Sequence, residues 1–123
     1  MTINEAITFI DNIKPNTFSL AEKIRWLSNL DGIIKREIVD THEGADEVIY
    51  EGYTEDTPLE TELIAPHPYD EVYTRYLEAQ IDYYNGENKR FNNSIALYNA
   101  AFINYKNWYN RTHKPISKPF KVF

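Results

Sequence analysis

The clearest hydrophobic pattern in the chain lies between Phe91 and Tyr109. Large apolar and aromatic side chains recur there at steps of four, three, four, three and four residues, which places them on one face of an α-helix. Because the run contains neither glycine nor proline, nothing inside it interrupts a helix. The pattern predicts a helix of roughly 30 Å, on which we expect the rest of the chain to pack. The members of this stripe are Phe91, Ile95, Tyr98, Phe102, Tyr105 and Tyr109.

A first helix is predicted near the start of the chain. Thr2 and Glu5 have the spacing of a capping box, in which each residue satisfies a backbone N–H of the other. Apolar residues follow on one helical face, and Pro15 ends the pattern. We therefore predict a helix from Thr2 to Ile13 or Lys14.

A second predicted helix begins after Ser19, where Glu22 repeats the capping-box spacing. Gly32 lies within this helix, at a cost of about 1 kcal/mol relative to alanine. We expect the helix to continue through Gly32 and to end between Thr41 and Gly44, and a break at Asp31 and Gly32 is the alternative. Its apolar face consists of Leu20, Ile24, Leu27, Leu30 or Asp31, Ile34 and Ile38.

A third helix is predicted from Tyr69 or Asp70 to about Asn85, where the sequence Asn85-Gly86 is typical of a helix C-terminus. The long fourth helix follows from about Asn88. So short a connection predicts that these two helices form an antiparallel hairpin. The expected fold is all-α: a small four-helix bundle with a long C-terminal hairpin, as a single domain over residues 1–123.

Two segments of the chain lack a helical period. Residues 43–68 are rich in acids, glycine and proline, and we predict an irregular acidic loop that is functional or ordered by a partner. Within it, residues 48–50 and 63–64 are candidates for short strands, joined as a loose hairpin across residues 54–58. Residues 113–123 are basic and contain two prolines, which predicts an extended arm.

Charge is distributed unevenly along the chain, whose net charge is −6. Residues 41–71 hold ten acids and no Lys or Arg, whereas residues 72–123 hold eight bases and three acids. A negative middle and a positive end can complement each other within one molecule or head-to-tail between copies. A solvated acidic loop is the alternative. Ten tyrosines suit half-buried surfaces, including interfaces, although a core uses them as well.

Residues that carry chemistry are sparse. The absence of cysteine excludes disulfides, thiol nucleophiles and cysteine-ligated metals. His42, Glu43 and Asp46 do not complete a zinc-protease motif, and the acids of the loop do not follow the EF-hand pattern, although an ion at a subunit contact is left open. No phosphate-binding or nucleophile-elbow motif is present. We predict no enzymatic activity and no cofactor.

Location and nucleic-acid binding follow from the same composition. The chain shows no signal peptide and no apolar run of transmembrane length, which predicts a soluble protein made in the cytoplasm. The basic residues near the C-terminus could contact phosphate, but a pI near 5.0 argues against a dedicated binder of duplex DNA. Pairing between the basic arm and the acidic loop is the favoured interpretation.

Residues 24–44 and 62–113 resemble small proteins of tailed bacteriophages and prophages of Firmicutes. These are the head–tail connector, or head-completion adaptor, proteins encoded beside the major capsid gene. The most telling pieces are the stretch from Leu63 to Glu71, the run IDYYNGE from Ile81 to Glu87, and the YNRTH ending from Tyr109 to His113. The similarity covers most of the chain and is one of general pattern, without a catalytic motif.

The resemblance implies a helical subunit of a virion, made in the cytoplasm of the host bacterium. It joins a ring, expected to be twelvefold, below the portal protein. The ring extends the channel through which packaged DNA passes without sequence-specific binding, and it presents the docking surface for the tail or a stopper protein. No membrane is implied.

We expect the arm and the acidic loop to carry most contacts with neighbouring subunits or the portal. A small acidic regulatory protein that mimics DNA and occupies a basic nucleic-acid-binding partner is the alternative. The candidate interface residues are Glu47, Tyr50, Tyr53, Glu55, Asp56, Lys114, Lys118, Phe120, Lys121 and Phe123.

Overall fold

The computed structural model describes residues 1–116, which form four α-helices and no β-strand. The all-α prediction is thus confirmed for this part of the chain. Two single-turn 3₁₀ helices, Val39–Thr41 and Ala45–Glu47, follow the second helix. The helices are α1 (Ile3–Ile13), α2 (Leu20–Glu37), α3 (Glu71–Tyr84) and α4 (Asn88–Thr112).

Both N-terminal helices begin where their caps were predicted. The Thr2 hydroxyl accepts a hydrogen bond from the Glu5 amide at 3.1 Å, and the Glu5 carboxylate accepts one from the Thr2 amide at 3.1 Å. The Ser19 hydroxyl accepts a hydrogen bond from the Glu22 amide at 3.2 Å. These bonds satisfy backbone donors that have no partner inside the helix.

Helix α2 continues through Gly32 as predicted, but it ends at Glu37 and not between Thr41 and Gly44. Side chains from the residues after Ile38 contact its carbonyl oxygen. The Thr41 hydroxyl donates a hydrogen bond to this oxygen at 2.7 Å, and the His42 Nδ1 lies 2.6 Å from it. The chain therefore tightens into the 3₁₀ turn Val39–Thr41.

The hydrophobic core lies between α1, α2 and α3, and α4 covers one side of it. Among the helices, α4 packs on α3 alone, with which it forms the predicted hairpin. Only Ser94, Tyr105 and Tyr109 of α4 are buried, while the rest of its apolar stripe is half-buried. The expectation that the chain packs around α4 is therefore wrong, and the centre of the fold is α3. The largest core side chains of the first three helices are Ile3, Ile10, Leu27, Leu30, Ile34, Tyr73, Leu77 and Ile81.

Residues 43–68 do not form the predicted hairpin. The carbonyls of Leu59 and Thr61 accept hydrogen bonds from Asn4 and Ile3 at 2.9 and 3.0 Å, and the Leu63 amide donates to Met1 at 2.9 Å. The segment thus satisfies the free amides of the first turn of α1, which have no partner within that helix. Its backbone groups are consequently unavailable to residues 48–50, of which Tyr50 bonds to Ser28 of α2 instead.

The turn between α3 and α4 follows the sequence prediction. Helix α3 ends at Tyr84 with Asn85 as its C-cap, and Gly86 adopts a left-handed conformation with φ of +71°, which glycine adopts without steric cost. Helix α4 begins two residues later at Asn88 and runs for 25 residues. In the part of the chain that the structure describes, no helix is long and apolar enough to cross a membrane.

Candidate functional site

The acidic loop is fastened to α2 by two tyrosines. The Tyr50 hydroxyl bonds to the backbone carbonyl of Ser28 and lies 3.0 Å from the Ser28 hydroxyl. The Tyr53 amide donates to the same Ser28 hydroxyl at 2.9 Å. The Tyr50 ring also rests 3.7 Å from the position that a Cβ at Gly32 would occupy. A Cβ at position 32 would therefore make an ordinary van der Waals contact with Tyr50.

Asp31 lies at the centre of the contact between the loop and the helices. Its carboxylate accepts hydrogen bonds from the hydroxyl groups of Tyr53 at 2.6 Å and Tyr73 at 2.5 Å, and from the Ile64 amide at 3.1 Å. The Tyr73 hydroxyl in turn accepts a bond from the Ala65 amide at 2.6 Å. One buried carboxylate thereby holds α2, α3 and both ends of residues 53–65 together.

The electrostatics of this cluster are those of a buried acid held by neutral donors. No cation pairs with Asp31 within residues 1–116, and its side chain is fully buried. Burial raises the pKa of Asp31, although the hydrogen bonds from Tyr53, Tyr73 and Ile64 act in the opposite direction. Burial and the nearby carboxylate raise the pKa of both tyrosines. The tyrosines therefore remain protonated donors, as a structural network requires.

The beginning of the C-terminal arm is extended and pairs with the start of the acidic loop. The Glu43 amide donates to the Lys114 carbonyl at 2.8 Å, and the Ile116 amide donates to the Thr41 carbonyl at 3.0 Å. Buried beside this pairing, His42 meets the edge of the Tyr109 ring, on whose face His113 stacks with a centroid distance of 3.8 Å. The arm and the loop thus meet within one molecule through backbone bonds.

The predicted interface residues fall into three groups. Tyr50 and Tyr53 are half-buried against α2, as described above. Glu47, Glu55, Asp56 and Lys114 are exposed, and they form no ion pair in the described region. Lys118, Phe120, Lys121 and Phe123 lie outside the described residues.

Two surface features were missed from the sequence. The first is an exposed face of α4, formed by residues that recur at steps of four, three, four, three, four and four along the helix. The sequence does contain a signal for this face, because the fifteen residues from Phe91 to Tyr105 carry no charged side chain. We call this the outer face of α4, and it consists of Lys89, Asn93, Ala96, Ala100, Ile103, Asn107 and Arg111.

The second missed feature is an aromatic cluster between α2 and α3. The rings of Trp26 and Tyr84 stack with a centroid distance of 5.7 Å, and Phe18 meets Trp26 edge-on at 5.3 Å. These residues line an open cavity of about 400 Å³ together with Glu22 and Arg25. Trp26 is buried, whereas Tyr84 exposes 59% of its surface.

Metal binding has no support in the described region. Residues 1–116 contain no group of three His, Asp or Glu side chains arranged to hold a metal ion. The Nδ1 atom of His42 is engaged by the Ile38 carbonyl.

Comparison with known proteins gives no assignment, since no family model, curated protein or solved structure matches this chain.

Proposed function

We propose that this chain is a head–tail connector subunit of a tailed bacteriophage. In this role it joins a ring below the portal protein, expected to contain twelve copies, extends the DNA channel, and offers the docking surface for the tail or a stopper protein. It acts by binding and carries out no chemistry. The whole chain forms one helical domain, made in the bacterial cytoplasm and incorporated into the virion.

The observation that carries this proposal is the combination of the resemblance with an exposed, uncharged helix face. The two stretches that resemble connector proteins contain most of α2 and all of α3 and α4. The outer face of α4 carries no charge between Lys89 and Arg111 and exposes Ile103, although a quarter of the whole chain is charged. Depletion of charge is typical of the centre of protein–protein interfaces.

The buried polar groups support a binding role as well. Asp31 and Tyr73 are fully buried and hold the acidic loop to α2 and α3, so neither is directed into an open cavity. The loop itself then presents its acids on a fixed backbone. Such a surface suits recognition of another protein through charge.

The test is quantitative mass spectrometry of purified particles from the phage or induced prophage that encodes the chain. We expect a copy number close to that of the portal protein, because a ring matched to the portal holds one connector subunit per portal subunit. Absence from particles, with abundance in the infected cell, would overturn the proposal and favour an acidic regulator.

A truncation tests the role of the arm. Deletion of residues 114–123 removes the hydrogen bonds to Thr41 and Glu43, whereas all four helices end before this segment. We expect unchanged helical circular dichroism and loss of incorporation into particles. Deletion of residues 117–123 alone is the matched control for those hydrogen bonds, since it retains them. Normal incorporation of both truncated chains would show that the arm is dispensable.

A further inference from the structure

We infer that the outer face of α4 binds the acidic loop of a second copy of this chain. The inference deepens the proposed function and rests on it, because the connector function implies a ring and these contacts would build that ring. The contact joins two different surfaces, so it is heterologous and continues from copy to copy. Three properties of the two surfaces support this contact.

The first property is that the outer face of α4 is not covered by any element within residues 1–116, where only Glu71 and Arg75 of α3 border it, along a shallow depression beside Ile103. Helix α4 packs on α3 through its opposite side, and all seven residues of the outer face are exposed. Ile103 exposes 56% of its surface and the neighbouring Leu97 exposes 46%. The small side chains of Ala96 and Ala100 leave room for the backbone of a second chain to approach closely. An apolar centre of this kind at the surface is typical of a binding site.

The second property is charge complementarity. Helix α4 contains four bases and no acid, and Lys89 and Arg111 stand at the two ends of the outer face. Neither forms an ion pair within residues 1–116. The acidic loop carries seven exposed acids that are equally without ion pairs in that part of the chain: Glu43, Asp46, Glu47, Glu51, Glu55, Asp56 and Glu60.

The third property is an exposed apolar residue among those acids. Ile49 exposes 83% of its surface, and it borders a shallow depression of about 370 Å³ that Glu51 and Tyr53 also line. The acidic loop thus has an apolar centre with a negative surround, while the outer face of α4 has an apolar centre with positive ends. A buried apolar centre within a polar rim is the usual arrangement of a protein interface.

The loop is also prepared for binding, because its backbone is already ordered. Tyr50 and Tyr53 fix it to Ser28 and Asp31, and residues 59–63 bond to the first turn of α1. Binding therefore does not require the loop to lose the conformational entropy of a disordered segment.

Cross-linking between single-cysteine variants tests the contact. The chain contains no cysteine, so each variant carries one thiol. We would mix Ile49→Cys with a mass-tagged Ile103→Cys variant of the full chain and add a short bismaleimide. We expect the mixed cross-link to form at least tenfold faster than in a control mixture of Ile49→Cys with Phe9→Cys, whose position on α1 is also exposed. The rate should fall with added salt, because salt screens exposed charges.

A charge reversal sharpens this test. Lys89→Glu with Arg111→Glu, introduced into the Ile103→Cys chain, should reduce cross-linking to the rate of the control mixture. Lys106→Glu is the matched control, since Lys106 is exposed on α4 but lies outside the outer face. It should leave most of the rate intact.

The outcomes separate this inference from the proposed function. Mixed cross-linking no faster than the control, or fastest cross-linking of Ile103→Cys with itself, would overturn the inference even if particles contain the protein. Rapid mixed cross-linking of a protein that is absent from particles would support the contact and overturn the connector function.

Discussion

Replacing Asp31 by alanine is expected to lower the free energy of unfolding by about 3–5 kcal/mol. The substitution removes the acceptor for the hydroxyl groups of Tyr53 and Tyr73 and for the Ile64 amide. Each buried polar group left without a partner costs about 1–3 kcal/mol. Tyr73 is fully buried, so water cannot replace the carboxylate there. Urea denaturation followed by circular dichroism at neutral pH would measure the loss.

Asp40→Ala is the matched control for this substitution. Asp40 is an exposed acid nine residues further along the chain, paired with Lys35. An exposed ion pair contributes about 0–1 kcal/mol, so its removal should have little effect. If Asp31→Ala costs no more than Asp40→Ala, the hydrogen-bond network around Asp31 does not hold the fold together.

The Asp31→Asn variant separates shape from hydrogen bonding. The amide nearly preserves the volume of the side chain but offers one acceptor oxygen where the carboxylate offers two. We therefore expect a loss between those of the two alanine variants. In addition, the conformation of the acidic loop should change before the helices do, because Tyr53 and Ile64 belong to the segment that the carboxylate holds.

The elements that were predicted correctly depend on neighbours in sequence. The capping of α1 by Thr2 and Glu5 spans three residues, and the left-handed Gly86 sets the end of α3 by itself. The hairpin of α3 and α4 follows from the length of the connection between them. Local hydrogen bonding and backbone sterics decide each of these features, so a single sequence contains the necessary information.

The roles of Asp31 and of the acidic loop were beyond such local patterns. Asp31 is bonded to Tyr53 and Tyr73, which lie 22 and 42 residues further along the chain. In the sequence Asp31 stands at an apolar position of α2. A buried acid there needs hydrogen-bond partners, but the pattern of neighbouring residues could not identify them. In the same way, residues 59–63 pair with the start of α1 and not with the nearer residues 48–50.

In the candidate site, too, the sequence predicted features of composition but not the contacts between distant residues. The sequence located the acidic loop and the basic arm through composition, and it named Tyr50 and Tyr53 as interface residues. The structure places both tyrosines against α2, where they fix the loop, while the acids beside them remain exposed. The outer face of α4 was missed because the apolar stripe on the other side of the same helix dominated the pattern.

Replacing Tyr105 by alanine is expected to lower the free energy of unfolding by about 3–5 kcal/mol, the usual cost of removing a large aromatic ring from a core. Tyr105 is fully buried, and its ring lies within 6.2 Å of those of Tyr69, Trp108 and Tyr109. Since α4 packs on α3 alone among the helices, no other helix compensates for the cavity.

Tyr105→Phe provides the matched control, because it retains the ring and removes only the hydroxyl. That hydroxyl is buried and has no hydrogen-bond partner within residues 1–116, and burial raises the pKa of Tyr105. Its removal relieves the cost of burying an unpaired polar group. We therefore expect the phenylalanine variant to be as stable as the wild type or more stable by about 1 kcal/mol.

Hydrogen exchange distinguishes loss of α4 from loss of the whole fold. In the Tyr105→Ala variant the amides of α4 should exchange faster than those of α1 and α2, because local opening of α4 leaves the core of the other three helices in place. Equal acceleration in all four helices would show that α4 is part of the central cooperative unit. A Tyr105→Phe variant as unstable as Tyr105→Ala would show that the hydroxyl, and not the ring, joins α4 to α3.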